Sequence, residues 1–260
     1  MTRLSITAMA SKSLALACVL GGYLLNACSS STEESSIEQG RALFDSKALS
    51  KSRINDYTCA TCHDTLATDP PSKKTGGALA GVTLRKTFWG DQVADLLGSI
   101  NACRSSFMGD TEPLSATDER ARSLYAYLVS LEPGNSAPVA FTVVNTIEPL
   151  PRAEGAEAIS DAENRGRLRY AQACASCHGS MHDGVGRLSS RVHILPEQTV
   201  EEHAEYSRRV QRLIFTEKIR HGLFLGYGGN MPPFSNELLS DAEVSDVLEA
   251  LGVLGIDDAQ

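Results

Sequence analysis

Four of the seven cysteines fall in two copies of one arrangement, Cys59-Ala60-Thr61-Cys62-His63 and Cys174-Ala175-Ser176-Cys177-His178. Two thiols about one helical turn apart can bond the two vinyl groups on one side of a porphyrin. The imidazole that follows then lies under the ring and binds its iron. A zinc ribbon would hold its two cysteine pairs about 15–20 residues apart, and these pairs are separated by more than 100. A thioredoxin-like pair does not need the histidine, which is present both times. The spacing therefore predicts two covalently bound haem c groups, held by Cys59, Cys62, Cys174 and Cys177, with His63 and His178 on the irons.

Each iron has a second axial position. Met1 and Met9 lie in the leader, and Met181 follows His178 too closely to reach the other face of the ring, which leaves Met108 and Met231. A thioether ligand favours Fe(II) and raises the potential, which suits electron transfer. Met231 precedes Pro232 and Pro233, a stiff segment able to lay sulfur against iron. The first half offers two candidates. Met108 is preferred and Cys103, five residues earlier, is the alternative; Cys103 also reads as a buried small hydrophobe. His182, His193, His203 and His221 read as surface or structural groups.

The elements that must position these residues repeat. Each half opens on a capping-box pattern, Ser35-x-x-Glu38 and Ser160-x-x-Glu163, in which the serine oxygen and the acid would satisfy free helix N–H groups. A glycine and an aromatic residue follow at i, i+4 (Gly40 and Phe44; Gly166 and Tyr170), then the cysteine motif, then a methionine. Each half closes on a second box, Ser115-x-x-Asp118 and Ser240-x-x-Glu243, leading into a helix. Equivalent markers are offset by 115 to 126 residues. The closing helices carry apolar stripes at i, i+3, i+4, i+7: Ala121, Leu124, Tyr125 and Leu128, then Val244, Val247, Leu248 and Leu251. Tyr125 and Tyr127 read as packing residues rather than redox groups.

Residues 1–27 have the form of a signal peptide, with Arg3 and Lys12 before an apolar run from Leu14 to Leu25 that is short for a membrane span. Leu25-Asn26-Ala27-Cys28 resembles a bacterial lipobox, which implies a lipid on Cys28 and a lipidated tether over 28–34. The resemblance places the protein on the periplasmic side of a bacterial membrane; Ser29 after the lipidated residue suggests the outer one. Pro and Gly mark 133–155 as a linker between 35–132 and 156–260, and its Phe141-Thr142-Val143-Val144 stretch is apolar enough to lie against a domain. Apolar residues at 42% and charged residues at 22% fit a folded soluble protein. With 24 basic and 32 acidic residues the net charge is −8, which argues against a nucleic-acid partner and suits basic patches on redox partner proteins.

Each half resembles a class I cytochrome c domain, most specifically at Gly229-Asn230-Met231-Pro232-Pro233-Phe234. The resemblance implies a mainly α fold of two tandem class I cytochrome c-like domains, each wrapped round one covalent haem. It implies one-electron transfer between redox partners, with membrane attachment through the lipid. It also implies haem-propionate contacts among Arg85, Lys86, Trp89, Arg187 and Arg220, of which Arg187 and Arg220 are preferred for their forked geometry. Ile100-Asn101-Ala102-Cys103 resembles thiosulfate-handling cytochromes in which a cysteine here ligates iron, so the alternative function is an oxidoreductase of thiosulfate dehydrogenase type using Cys103. Mass spectrometry of the exported protein should show two haem additions, and serine at both Cys174 and Cys177 should remove one of them.

Overall fold

The computed structural model describes residues 32–66, 73–131, 141–142, 144, 147, 150, 155–222 and 230–253. The leader, Cys28 and most of the expected linker lie outside the described residues. Apart from two isolated bridges, Asp64 with Ala78 and Phe88 with Val93, the described residues form helices, turns and loops.

The first half runs from helix α1 (residues 32–45) through a short α2 (Cys59–Cys62) to α3 (Leu96–Ser106) and α4 (Glu119–Ser130). The second half runs through α5 (Ala156–Ala173), α6 (Ala175–His178), α7 (Glu197–Glu202), α8 (Arg208–Arg220) and α9 (Asp241–Ala250). Each half has its own apolar core. Phe44, Leu49, Val82, Met108, Leu124 and Leu128 belong to the first; Tyr170, Phe215, Leu239, Val244, Val247 and Leu248 belong to the second.

The first and last helices of each half touch backbone to backbone, and a glycine is the reason they can. A Cβ on Gly40 would sit 2.0 Å from the carbonyl oxygen of Ser123 in α4, and one on Gly166 would sit 1.9 Å from that of Asp246 in α9. No side chain fits there. Four residues on, the aromatic of the same helix packs inside: Phe44 lies 5.6 Å from Tyr127 between ring centroids, and Tyr170 is 2% exposed in the second core.

The helix starts match the sequence expectation in part. Ser240 and Glu243 form the expected reciprocal box at the start of α9. Ser160 lies inside α5, whose N-cap is Gly155, because Ala156-Glu157-Ala158-Ile159 extends the helix backwards. Ser35 is likewise inside α1, where the neighbouring Ser36 donates to the carbonyl of Thr32 at 3.1 Å. Asp118 itself caps α4, accepting from Arg120 N, while Ser115 bonds Thr117 in the turn before it. The α9 stripe is buried as expected, but in α4 Tyr127 faces the core and Tyr125 is exposed.

The halves lie against each other. Lys73 pairs with Glu243 at 2.8 Å, Arg191 bonds Asp56 and the carbonyl of Ile54, and the side chain of Leu238 packs onto the Cα of Gly77. Phe141 packs edge-on against Trp89 and Thr142 bonds Glu237. No helix among the described residues is long and apolar enough to cross a membrane. Gly166→Ala should force α5 away from α9 and cost about 3 kcal/mol of stability, the range of core overpacking, read as a lowered thermal midpoint.

Candidate functional site

The two cysteine motifs fold as single helical turns. In the first, Thr58 caps α2 and exchanges hydrogen bonds with Thr61, a reciprocal box that holds Cys59 and Cys62 on adjacent faces of the turn. In the second, α6 follows Cys174 directly, and the amides of Cys177 and His178 both bond back to its carbonyl. All five described cysteines are free thiols. Burial pushes Cys59 and Cys174 up to about 12 and raises Cys62 and Cys177, which suits a neutral thioether; Cys62, Cys174 and Cys177 line cavities, and Cys59 packs against the first apolar core.

Both histidines are oriented the same way. His63 Nδ1 lies 3.0 Å from the carbonyl oxygen of Gly76, and His178 Nδ1 lies 2.9 Å from that of His193. A carbonyl only accepts, so in each ring Nδ1 carries the proton and Nε2 presents a lone pair. Burial lowers both rings, His63 to about 4, which keeps them neutral. Gly76 also makes room: a Cβ there would lie 2.1 Å from His63 Cε1.

Each histidine faces a cavity. One, of about 540 Å³, is lined by Cys174, Cys177, His178 and Met231. The other, of about 520 Å³, is lined by Cys62, His63 and Cys103. Both have the size of a pocket that buries a large cofactor. Cys62, Thr75, Phe107 and Pro232 line both, so the cavities adjoin.

Met108 and Cys103 separate clearly. Met108 is 5% exposed within the first apolar core and does not line the His63 cavity. Its carbonyl accepts from Ser50 Oγ at 3.0 Å, which fixes the turn against the start of the domain. Cys103 opens onto the cavity from α3, next to Phe107, which stacks on Trp89. Burial pushes the Cys103 thiol up to about 12, so it stays neutral unless a cationic centre faces it; a metal deprotonates a coordinating thiol outright.

The residues preferred for propionates have other partners. Arg220 is 2% exposed and donates through Nη1 to the carbonyls of Phe234 and Leu239 and through Nη2 to Asp241, so it fastens the segment after Met231. Arg187 bonds the carbonyl of Val192 and does not line the His178 cavity. The cations on the cavity walls are Lys74, Arg191 and Lys218 at one and Arg85 and Lys86 at the other. Arg85 is the best fit to an acidic group: it donates to Ala78 O at 3.4 Å, but its buried Nε has no partner. The donor set therefore fits an iron macrocycle with acidic edges.

Residues 161–249 match the family described as cytochrome C oxidase, cbb3-type, subunit III. The chain carries a cytochrome c domain. A domain of this kind binds haem c covalently and works by haem-based electron transfer with redox partner proteins, and Cys174, Cys177, His178 and Met231 all fall within its bounds. No curated protein matches the chain. Sequence reasoning passed over Gly76, Thr75, Tyr57 and the carbonyl of His193; only the glycine, thirteen residues after His63, carried a signal in its residue type.

Proposed function

We propose that the protein is a dihaem c-type cytochrome that moves single electrons between redox partners from a lipid anchor on the periplasmic side of a bacterial membrane. The observation that carries this reading is the duplication of one arrangement. In each half a half-buried, neutral histidine is locked through Nδ1 to a carbonyl and shares a cavity with a cysteine of its motif and a further sulfur. The glycine crossings repeat as well, at Gly40 and Gly166. Haem supplies reversible one-electron chemistry when bound; the chain's own residues exclude water, set the axial donors and hold the acidic edges.

On this reading His178 and Met231 serve the second haem, and His63 and Cys103 serve the first. Cys103 takes the place expected for Met108 because it is the sulfur on the cavity wall. A thiolate stabilises ferric iron and a thioether favours ferrous iron, so with His63 and Cys103 holding one haem and His178 and Met231 the other, electrons would run downhill from the first to the second. The adjoining cavities leave a short route between them. The acidic chain would meet its partners through small, weak interfaces.

The position of Cys103 favours a second reading, an oxidoreductase of thiosulfate dehydrogenase type. Arg85 and Lys86 line the same cavity and would draw an anionic substrate towards the first haem. Thiosulfate-dependent reduction of an added one-electron acceptor, lost in Cys103→Ser, would support that reading; its absence in the wild type leaves the carrier.

Two expected outcomes test the proposal. The first haem should show the EPR signature of thiolate ligation, and Cys103→Ser should abolish it and raise the potential. Met108→Ala should cost about 2–5 kcal/mol through the cavity it leaves, with that signature unchanged. The reverse pattern, Cys103→Ser silent and Met108→Ala opening the first iron to added ligands, would overturn the assignment. Separately, Cys28→Ser should release the protein from the membrane or block its processing; a soluble, unmodified wild type would sink the anchor.

A further inference from the structure

The segment that carries Met231 is poor in groups that can hold it. Pro232 and Pro233 have no amide hydrogen, so between Asn230 and Phe234 the backbone is fastened mainly through carbonyl oxygens. On its own side, Phe234 N donates to Ile219 O at 2.8 Å, and the Met231 carbonyl lies where a Cβ on Gly222 would be, at 2.0 Å. Arg220 Nη1 also donates to Phe234 O at 3.2 Å. Two further holds come from the first half. Thr75 Oγ1 donates to Pro233 O at 2.6 Å, and Tyr57 donates through its hydroxyl to Asn230 O at 3.3 Å. These two hydroxyls bracket Met231 and Pro232.

Both donors are well placed for that task. Thr75 is 8% exposed, and its bond to Pro233 is buried, where a carbonyl left without a donor is costly. It sits beside Gly76 and Gly77; the Gly76 carbonyl accepts from His63 Nδ1 and Gly77 packs on Leu238. Tyr57 lines the His178 cavity along with Cys62 and Cys177, and burial raises its hydroxyl so that it stays a donor.

We infer that Tyr57 and Thr75 are positioning residues for Met231: the first half of the chain clamps the axial-ligand segment of the second haem. The inference rests on Met231 being that ligand. Thr75 connects the two sites through one short stretch of chain, because the residue after it holds the histidine of the first haem. A shift of one site thus displaces the ligand of the other.

The test uses the full-length, haem-loaded protein and added imidazole as the probe. Thr75→Val removes the hydroxyl at nearly constant shape, and Tyr57→Phe removes the other with less risk to folding. Each should weaken the methionine-to-ferric-iron charge-transfer band, lower the potential of the second haem and raise its ferric affinity for imidazole, about tenfold for Thr75→Val, the scale of one buried hydrogen bond, and less for Tyr57→Phe, whose bond to Asn230 is exposed. Thr75→Ser should restore all three. A lowered thermal midpoint with band, potential and imidazole affinity unchanged in both variants would make these residues structural only and overturn the inference. Met231→Ala separates the two levels. If it removes the band while Thr75→Val and Tyr57→Phe leave it, the clamp fails and the ligand assignment stands; if it changes nothing, both fall.

Discussion

The backbone contact between the first and last helices of each half is the constraint on which the rest depends. Gly40 meets the carbonyl of Ser123 and Gly166 meets that of Asp246, closer than any side chain allows. A close crossing pins the two ends of a stretch of roughly a hundred residues and leaves the middle to loop round whatever fills the space. The cysteine turns come soon after the first of these helices, and the axial segment comes just before the last. Fixing the crossing therefore brings an early histidine and a late sulfur to one cavity. Phe44 against Tyr127 in one half, and Tyr170 among Val244, Val247 and Leu248 in the other, fill the angle beneath each crossing.

Each half also buries an arginine at the same place, and these cations shape the loops. Arg104 is 1% exposed and bonds the carbonyls of Leu49 and Glu112, the amide oxygen of Asn101 and the carboxylate of Asp110 at 2.5 Å. Arg220 does the corresponding work for Phe234, Leu239 and Asp241. A buried guanidinium stabilises little by itself, because desolvation offsets its attraction to the carboxylate. Its five donors instead satisfy carbonyls that a loop folded inward would leave without partners. Both Arg220 and Arg85 keep a buried Nε without a partner, but Arg220 lines neither cavity, whereas Arg85 lies on the wall of one.

What the sequence made legible was local. The cysteine motifs, the Ser240 box and the α9 stripe each depend on residues within a turn or two, and each has the expected geometry. Ser35 and Ser160 misled because a serine-x-x-acid pattern also fits inside a helix when good helix formers precede it. Tyr125 and Tyr127 differ by two positions, and only the partner helix, through Phe44, decides which faces inward. Arg187 and Arg220 were chosen by side-chain chemistry alone, whereas their partners are mostly backbone carbonyls that no residue type announces, with Asp241 the one carboxylate, on Arg220. The choice between Met108 and Cys103 turned on which face of α3 and its following turn meets the cavity. Burying Arg104 towards Leu49 and Glu112 leaves its neighbour Cys103 on the face that meets the cavity.

The same frame explains how two similar halves come to offer different sulfurs. Cys103 precedes the buried Arg104 on α3, and Ile219 precedes the buried Arg220 on α8; both line their cavities. Where the helix presents sulfur, the following turn is short and its methionine is free to fill the core, as Met108 does. Where the helix presents isoleucine, the sulfur on the wall comes from a longer segment that returns to the cavity at Met231. That longer segment needs more holding, and its prolines deny it amide donors, so part of the holding comes from the neighbouring half through Tyr57 and Thr75. Under the proposed ligation the helix-borne thiolate is the rigid donor and the loop-borne thioether the adjustable one. The site favouring ferrous iron is then the one whose ligand geometry depends on contact between the halves, which makes that contact part of how the second potential is set.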